Sequence, residues 1–491
     1  MLKKKLILFM IPVSALCLAQ TSHARLNTLT GGLTTGYDFD ETKYENSTVE
    51  GIPPTENSYF KQFNIAPLLI LETTSSRDNL TIRFNPSFTY DQETSQNDID
   101  HNFSIVAYRD FTRRLRLELS NGFIYSNDPE LLEQEISSDY NRGRRRYWTN
   151  NFHFNSNYTY ATGSSVGAGY TYRILRNDDT GPGGYEDYDR HIADLSLQHQ
   201  FNAAWNIALT TSYTRGLFDP PDSEVVGSTG EELEGIPLET ADTIDEEDLS
   251  SDLSEYRTST TVNWLFSPRK TFFISHTFMG SDYDDTLRNN SELHDLTLGT
   301  RYQHTRQLSF ELGGGPSYEK TETFDGTWNY NAHFNLDYNI AENSSLAASV
   351  TKGYEQQNFS QNNSLLGGDQ GLTEFWQWNL NFSHELITDL TATLFATYRD
   401  ERQENSLQGI FNSTDSETTL EPLDNETFRE ESTFDRKIYQ AGGSLSYDFL
   451  RWYTASVRYT YRQQDSDQIN DSYDEHRVYL TLSVQKELLR W

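Results

Sequence analysis

Along most of the chain, apolar and polar residues alternate with a period of two. From Trp328 the apolar positions are Trp328, Tyr330, Ala332, Phe334, Leu336, Tyr338 and Ile340. Between them stand Asn329, Asn331, His333, Asn335, Asp337 and Asn339. A polar turn at 341–345 leads into Leu346, Ala348, Val350 and Tyr354 in the same phase. A period of two puts successive side chains on opposite faces of a β-strand, so 326–354 predicts a hairpin with one apolar and one polar face. Asparagine is a poor strand former. A whole face of it is explained by a wall with water on one side and lipid on the other.

The unit recurs from Leu29 to Val484. Leu29, Leu33, Tyr37 and Phe39 open it, Trp376, Trp378, Leu380 and Phe382 repeat it late in the chain, and Val478, Leu480, Leu482 and Val484 end it. Short turns such as 112–114, 161–165 and 267–270 alternate with longer polar loops such as 91–100, 126–146, 218–252, 355–373 and 400–434. The pattern predicts an all-β chain: a transmembrane antiparallel up-and-down β-barrel of about 20 strands, with short periplasmic turns and long acidic extracellular loops. A soluble secreted β-protein is the rival, but it would not need apolar residues on a continuous ring of strands. Pro67 and Pro86 fall on outward positions, where local bulges are expected. Leu489 and Trp491, after Leu488, break the parity of Val478 to Val484, so either a bulge intervenes or the end lies outside the strand.

Composition narrows this further. With 491 residues, 35% hydrophobic, and a mean hydropathy of -0.71, the chain is not a helical membrane protein, which needs apolar runs of about 20 residues. Its one apolar run, Leu6 to Ala19 after Lys3, Lys4 and Lys5, precedes Ser22-His23-Ala24 and reads as a signal peptide over 1–24, too short for a retained anchor. Residues 25–491 are then one barrel domain starting almost at once, without room for a plug or a periplasmic module. Cys17 is the only cysteine, and Leu16 before it disfavours lipidation. The mature chain therefore has no disulfide and no thiolate metal site. A net charge of -34 argues against nucleic-acid binding. The 30 tyrosines suit a bilayer interface, where a ring is half buried and its hydroxyl wet.

On the polar face, Asn151, His153, Asn155 and Asn157 share one strand and Thr391, Thr393 and Thr397 another. Arg173, Arg257, Arg399, Arg458, Arg462 and Arg477 recur there, mostly near the outer strand ends. They read either as a cationic collar for anionic solutes or sugar acids or as braces paired with loop carboxylates. Loop 126–146 carries Asp128, Glu130 and Glu133, then Arg142, Arg144, Arg145 and Arg146. Such segregation suits a constriction loop with a transverse field, an exposed helix with local ion pairs, or a contact with lipopolysaccharide phosphates. The acidic stretch 218–252, and Asp465 to Asp471, lack the spacing of a preformed calcium site and read as solvated loops. His153, His333 and His191 lie in no recognisable catalytic motif, and no H-E-x-x-H occurs. No catalytic residue, metal or cofactor is expected.

The immediate start of strands, the Tyr-rich hairpins at Tyr398 and Tyr459-Thr460-Tyr461, and the long acidic loops resemble outer-membrane β-barrel proteins associated with exopolysaccharide and PEP-CTERM-type export systems. The resemblance covers the mature chain as a style and includes no family-specific motif; it implies polysaccharide secretion. The expectation is an outer-membrane channel for polar or anionic solutes or a polysaccharide. Its partners would be membrane lipid, lipopolysaccharide and the barrel-assembly machinery. The alternative is a surface structural or adhesion barrel with an occluded lumen and working acidic loops.

Overall fold

The computed structural model describes residues 25–45, 57–127, 146–178, 187–219, 252–284, 290–321, 326–356, 372–408, 429–467 and 472–491. These residues form β-segments and no helix. In chain order they are β1 (Leu26–Tyr44), β2 (Ser58–Thr74), β3 (Asp78–Phe84), β4 (Ser87–Asp91), β5 (Gln96–Asp110), β6 (Leu115–Ser126) and β7 (Tyr147–Ala161). Next come β8 (Ser164–Asn177), β9 (Asp187–Gln200), β10 (Trp205–Asp219), β11 (Leu253–Ser267), β12 (Lys270–Tyr283), β13 (Ser291–Gln303) and β14 (Leu308–Thr321). The last are β15 (Thr327–Ala341), β16 (Ser344–Gln356), β17 (Leu372–Ile387), β18 (Leu390–Gln408), β19 (Arg429–Phe449), β20 (Tyr453–Ser466) and β21 (Tyr473–Arg490).

Apart from β3 and β4, each strand pairs antiparallel with its successor, and β1 pairs with β21 to close the sheet, with Leu33 opposite Val484 and Tyr37 opposite Leu480. β3 and β4 both pair with β2 and with β5, so they are halves of one strand. The result is a closed barrel of 20 strands. Closure leaves no unpaired edge, the condition for a sheet to cross a bilayer.

The apolar parity points outward. Leu195, Leu298, Leu312, Tyr330, Trp378 and Leu394 are all about half exposed on the outer wall. At the turn end, Trp205 stacks on Trp264 at 5.7 Å and Phe272 lies 5.6 Å from Trp264. Nearer the loop end, Tyr213 packs against Tyr256 and Tyr398 against Tyr439. Two aromatic belts thus bracket an aliphatic band, as in a barrel seated in a membrane.

Pro67 and Pro86 are accommodated differently from the expected bulges. The register carries Leu69 opposite Phe84 and Ile65 opposite Phe88, which sets the two prolines face to face in the gap between β3 and β4. Neither has an N–H to donate, so two defects share one interruption, and the Asn85 amide donates to the Pro67 carbonyl at 3.1 Å. At the C-terminus a bulge does intervene. Thr30 faces Glu487 and Leu29 faces Leu489, which leaves Leu488 as the extra residue and returns Leu489 and Trp491 to the outer face.

Two loops are shorter than expected. The 91–100 connection is only 92–95, because Gln96 to Asp100 pair with β4, and the Asp91 carboxylate accepts the Glu93 N–H at 2.8 Å. The 400–434 loop loses both flanks to the ladder, since pairing continues to Gln408 opposite Arg429. These residues carry no apolar alternation, so periodicity could not identify them as strand.

Candidate functional site: the lumen wall and its mouth

The polar parity faces inward, so the candidate site residues share the inner face but stand on strands spread round the barrel. Asn151 is exposed on β7. His153 Nδ1 lies 2.8 Å from Thr171 Oγ1 on β8. His333 meets Glu311 at 3.0 Å and stacks on Phe273 at 6.0 Å. Glu311 also holds Arg301, whose guanidinium reaches Asn263 at 2.9 Å and covers the Phe273 ring at 4.6 Å. Arg301 and Glu311 border a cavity of about 880 Å³ on the inner wall, lined also by Thr271, Asp337, Asn379, Thr397 and Phe395 among others. Phe273 lies opposite Gly299, and Phe395 opposite Gly442. A Cβ on either glycine would sit within 2.5 Å of the ring above it, so glycine lets each phenyl lie flat against the wall.

Asn331 is a structural residue as well as a lumen one. It is buried, its amide donates to the Leu296 carbonyl and to Ser317 Oγ, both at 3.3 Å, and its oxygen accepts from Thr297 Oγ1 at 2.8 Å. Pairing between β13 and β14 skips Leu296 and Thr297, where Pro316 offers no N–H. Asn331 supplies the missing donor across the sheet. Asn331→Ala is expected to lower stability by about 1–3 kcal/mol through the stranded carbonyl and hydroxyls, read as a lower urea midpoint; Asn339→Ala, at an exposed position, should leave it unchanged.

At the loop end most of the collar arginines are engaged. Arg399 binds Glu401, Glu355 and, at 2.9 Å, Gln377, and it covers the Phe375 ring at 4.4 Å. Glu401 also accepts two bonds from Arg436, at 2.8 and 2.9 Å. Arg399, Glu401 and Arg436 are each 3% exposed or less. Arg477 makes a two-pronged pair with Asp38 across the closing seam, at 2.7 and 3.0 Å. Arg462 is buried against Tyr473, and Arg173 faces Arg190 across β8 and β9. Arg257 and Arg458 differ: both are exposed, neither forms an ion pair among the described residues, and Arg458 stands 5.2 Å over Phe395.

Two features of the mouth were not visible in the alternation. Tyr147, Leu175, Tyr188, Phe218, Leu253 and Tyr283 are buried together at the opposite phase to the lipid-facing residues, which makes one side of the inner mouth apolar. Elsewhere β15–β16 pairing stops at Ala332 opposite Lys352. Beyond it, side chains take over: buried Lys352 binds Glu374 at 2.7 Å and Asn329 at 2.6 Å, and Asn329 donates to the Tyr354 hydroxyl at 2.8 Å.

Of the proposed constriction loop, Asp128, Glu130, Glu133, Arg142, Arg144 and Arg145 lie outside the described residues, as do nearly all of 218–252 and Asn470 and Asp471. Arg146 is described. It pairs with Asp98 and covers the Tyr125 ring at 4.9 Å, which pins the loop's end to β5 and β6. The described residues contain no group of three or more potential metal-ligating His, Cys, Asp or Glu side chains.

No protein-family model matches the chain, and no curated protein matches it in sequence. Solved structures of the same general architecture do. The siderophore receptor PirA from Pseudomonas aeruginosa aligns over 94% of this chain and 80% of its own, at 10% identity and a TM-score of 0.48. OccAB4 from Acinetobacter baumannii aligns over 95% of this chain and 99% of its own, at 10% identity and a TM-score of 0.40. A BenF-like porin from Pseudomonas fluorescens Pf-5 aligns over 94% and 99%, at 10% identity and a TM-score of 0.41. The chain is similar to these outer-membrane barrels in fold, and its own strand closure and outward apolar face establish that fold without them.

Proposed function

We propose that the chain is an outer-membrane channel, exported by a signal peptide at 1–24, inserted by the barrel-assembly machinery, and used for the passage of polar solutes. The observation that carries this is the pairing of an apolar outer wall with an inner wall of amides, hydroxyls and compensated charges. Barrels of 16 or more strands have room for an aqueous interior. Because Arg399 and Arg477 are held by carboxylates, the collar braces the mouth more than it recruits anions. That favours neutral, hydroxyl-rich solutes, including a secreted polysaccharide, over anionic ones.

Purified protein in planar bilayers should give discrete conductance steps. Well-folded protein that gives none would remove the channel and favour a surface barrel acting through its acidic loops. Arg257→Glu with Arg458→Glu should shift the reversal potential in a salt gradient toward greater cation selectivity. The permeability ratio should change roughly twofold, since exposed charges act only within about 10 Å at 0.1 M salt.

A further inference from the structure

Ten histidines lie among the described residues, and only His153 and His333 share the lumen parity. Three of the others occupy the same place in three separate hairpins. On β8, Tyr170 and Tyr172 flank Thr171. His191 on β9 sits between them, its Nδ1 2.8 Å from the Tyr170 hydroxyl and its ring stacked 4.8 Å from Tyr172. On β20, Tyr459 and Tyr461 flank Thr460. His476 on β21 sits between them, 2.9 Å from the Tyr459 hydroxyl and 4.9 Å from the Tyr461 ring. On β12, His276 and Phe278 flank Thr277. His294 on β13 lies 3.4 Å from His276 Nε2 and 4.9 Å from the Phe278 ring. In each hairpin the first aromatic comes six residues after the start of the rising strand. The second outer ring repeats a carboxylate contact too: Tyr172 donates to Asp189 at 2.9 Å and Tyr461 to Asp474 at 3.1 Å.

We propose that these are three copies of a binding site for the phosphate of an outer-leaflet lipid head group. The clusters face outward in the aromatic belt nearer the loop end. With a membrane strand of about 9–11 residues, they stand in the upper third of the span, where long polar side chains reach the head-group layer. In the two tyrosine clusters the hydroxyl pairs with Nδ1, which leaves Nε2 as the ring nitrogen without a partner among the described residues. In the third, His294 Nδ1 meets His276 Nε2, which leaves one further nitrogen of each ring without a partner among the described residues. A ring N–H left unmatched at the edge of the hydrocarbon is costly. A phosphate oxygen satisfies it by a charge-assisted bond. The aromatic rings on each side exclude water from that bond.

This rests on the membrane reading above but not on conduction. The test is lipid retention by the full-length protein in phosphatidylcholine nanodiscs doped with phosphatidic acid, read by native mass spectrometry. His191→Ala with His294→Ala and His476→Ala should weaken retention about tenfold or more per site, the loss of one charge-assisted bond. Tyr170→Phe, which frees the Nδ1 without removing a ring, should weaken its own site alone. His384→Ala, at the turn end of β17, should change nothing. Inorganic phosphate competing as well as phosphatidic acid would overturn the lipid assignment. Equal retention by wild type and triple variant, or equal retention of diacylglycerol, would overturn the site. Unchanged conductance in the triple variant would show that the channel reading stands apart from either outcome.

Discussion

Glu401→Gln is expected to destabilise the barrel by about 3–5 kcal/mol, because it leaves two buried guanidinium groups without their shared counter-charge. Glu401 is 1% exposed, and it holds Arg436 by two hydrogen bonds and Arg399 by another. Its removal leaves Arg399 with Glu355 and Gln377, and takes from Arg436 the carboxylate that accepts its two bonds from β18. The amide keeps the shape and one acceptor but turns an NH2 donor toward the other guanidinium, so the loss combines the missing charge with one unmet contact. Tryptophan fluorescence during urea unfolding in detergent should show the midpoint falling. Glu118→Gln, at a half-exposed position against Arg116, should stay within about 1 kcal/mol of the parent, as surface pairs do. If the two substitutions cost the same, the buried network is not what holds the loop ends of β18 and β19 together.

That network also shows where reading residues in order reaches its limit. Alternation identified the wall, its closure count and the outward face, because lipid and water act on every second residue along each strand. It marked Arg399 and Arg477 as inward, but not their partners: Asp38 lies at the other end of the chain from Arg477, and only closure of the barrel joins them. Glu401 sat within the stretch 400–434 read as loop, and Arg436 just beyond it, since polar strands that rise above a membrane lose the apolar phase. Phe273 and Phe395 carried a readable signal, an apolar residue directly after Phe272 or Leu394 that breaks the period. What it could not give was the glycine facing each ring, which register alone supplies. Asn331 looked like one more member of a hydrated face. Its burial follows from Pro316, a defect on the neighbouring strand.

Leu394→Arg against Thr393→Arg separates a lipid-facing wall from a water-facing one. Leu394 is 59% exposed, lies opposite Gly443, and stands four residues above the turn end of β18, near the middle of a membrane span. In a water-soluble protein, arginine at so exposed a leucine would cost little. In a bilayer, arginine near the midplane of the lipid face costs about 2–4 kcal/mol. Thr393 is its neighbour on the inner face, between Ser383 and Ser444. An arginine there enters the aqueous lumen and should cost less than about 1 kcal/mol, while altering ion selectivity. Folding into lipid vesicles, followed by the shift between folded and heat-unfolded bands on a gel, measures both. A large loss for Leu394→Arg with little for Thr393→Arg is the expected result. The reverse order would mean that the apolar face meets water and the polar face is the packed one, and the barrel could not then be a membrane pore.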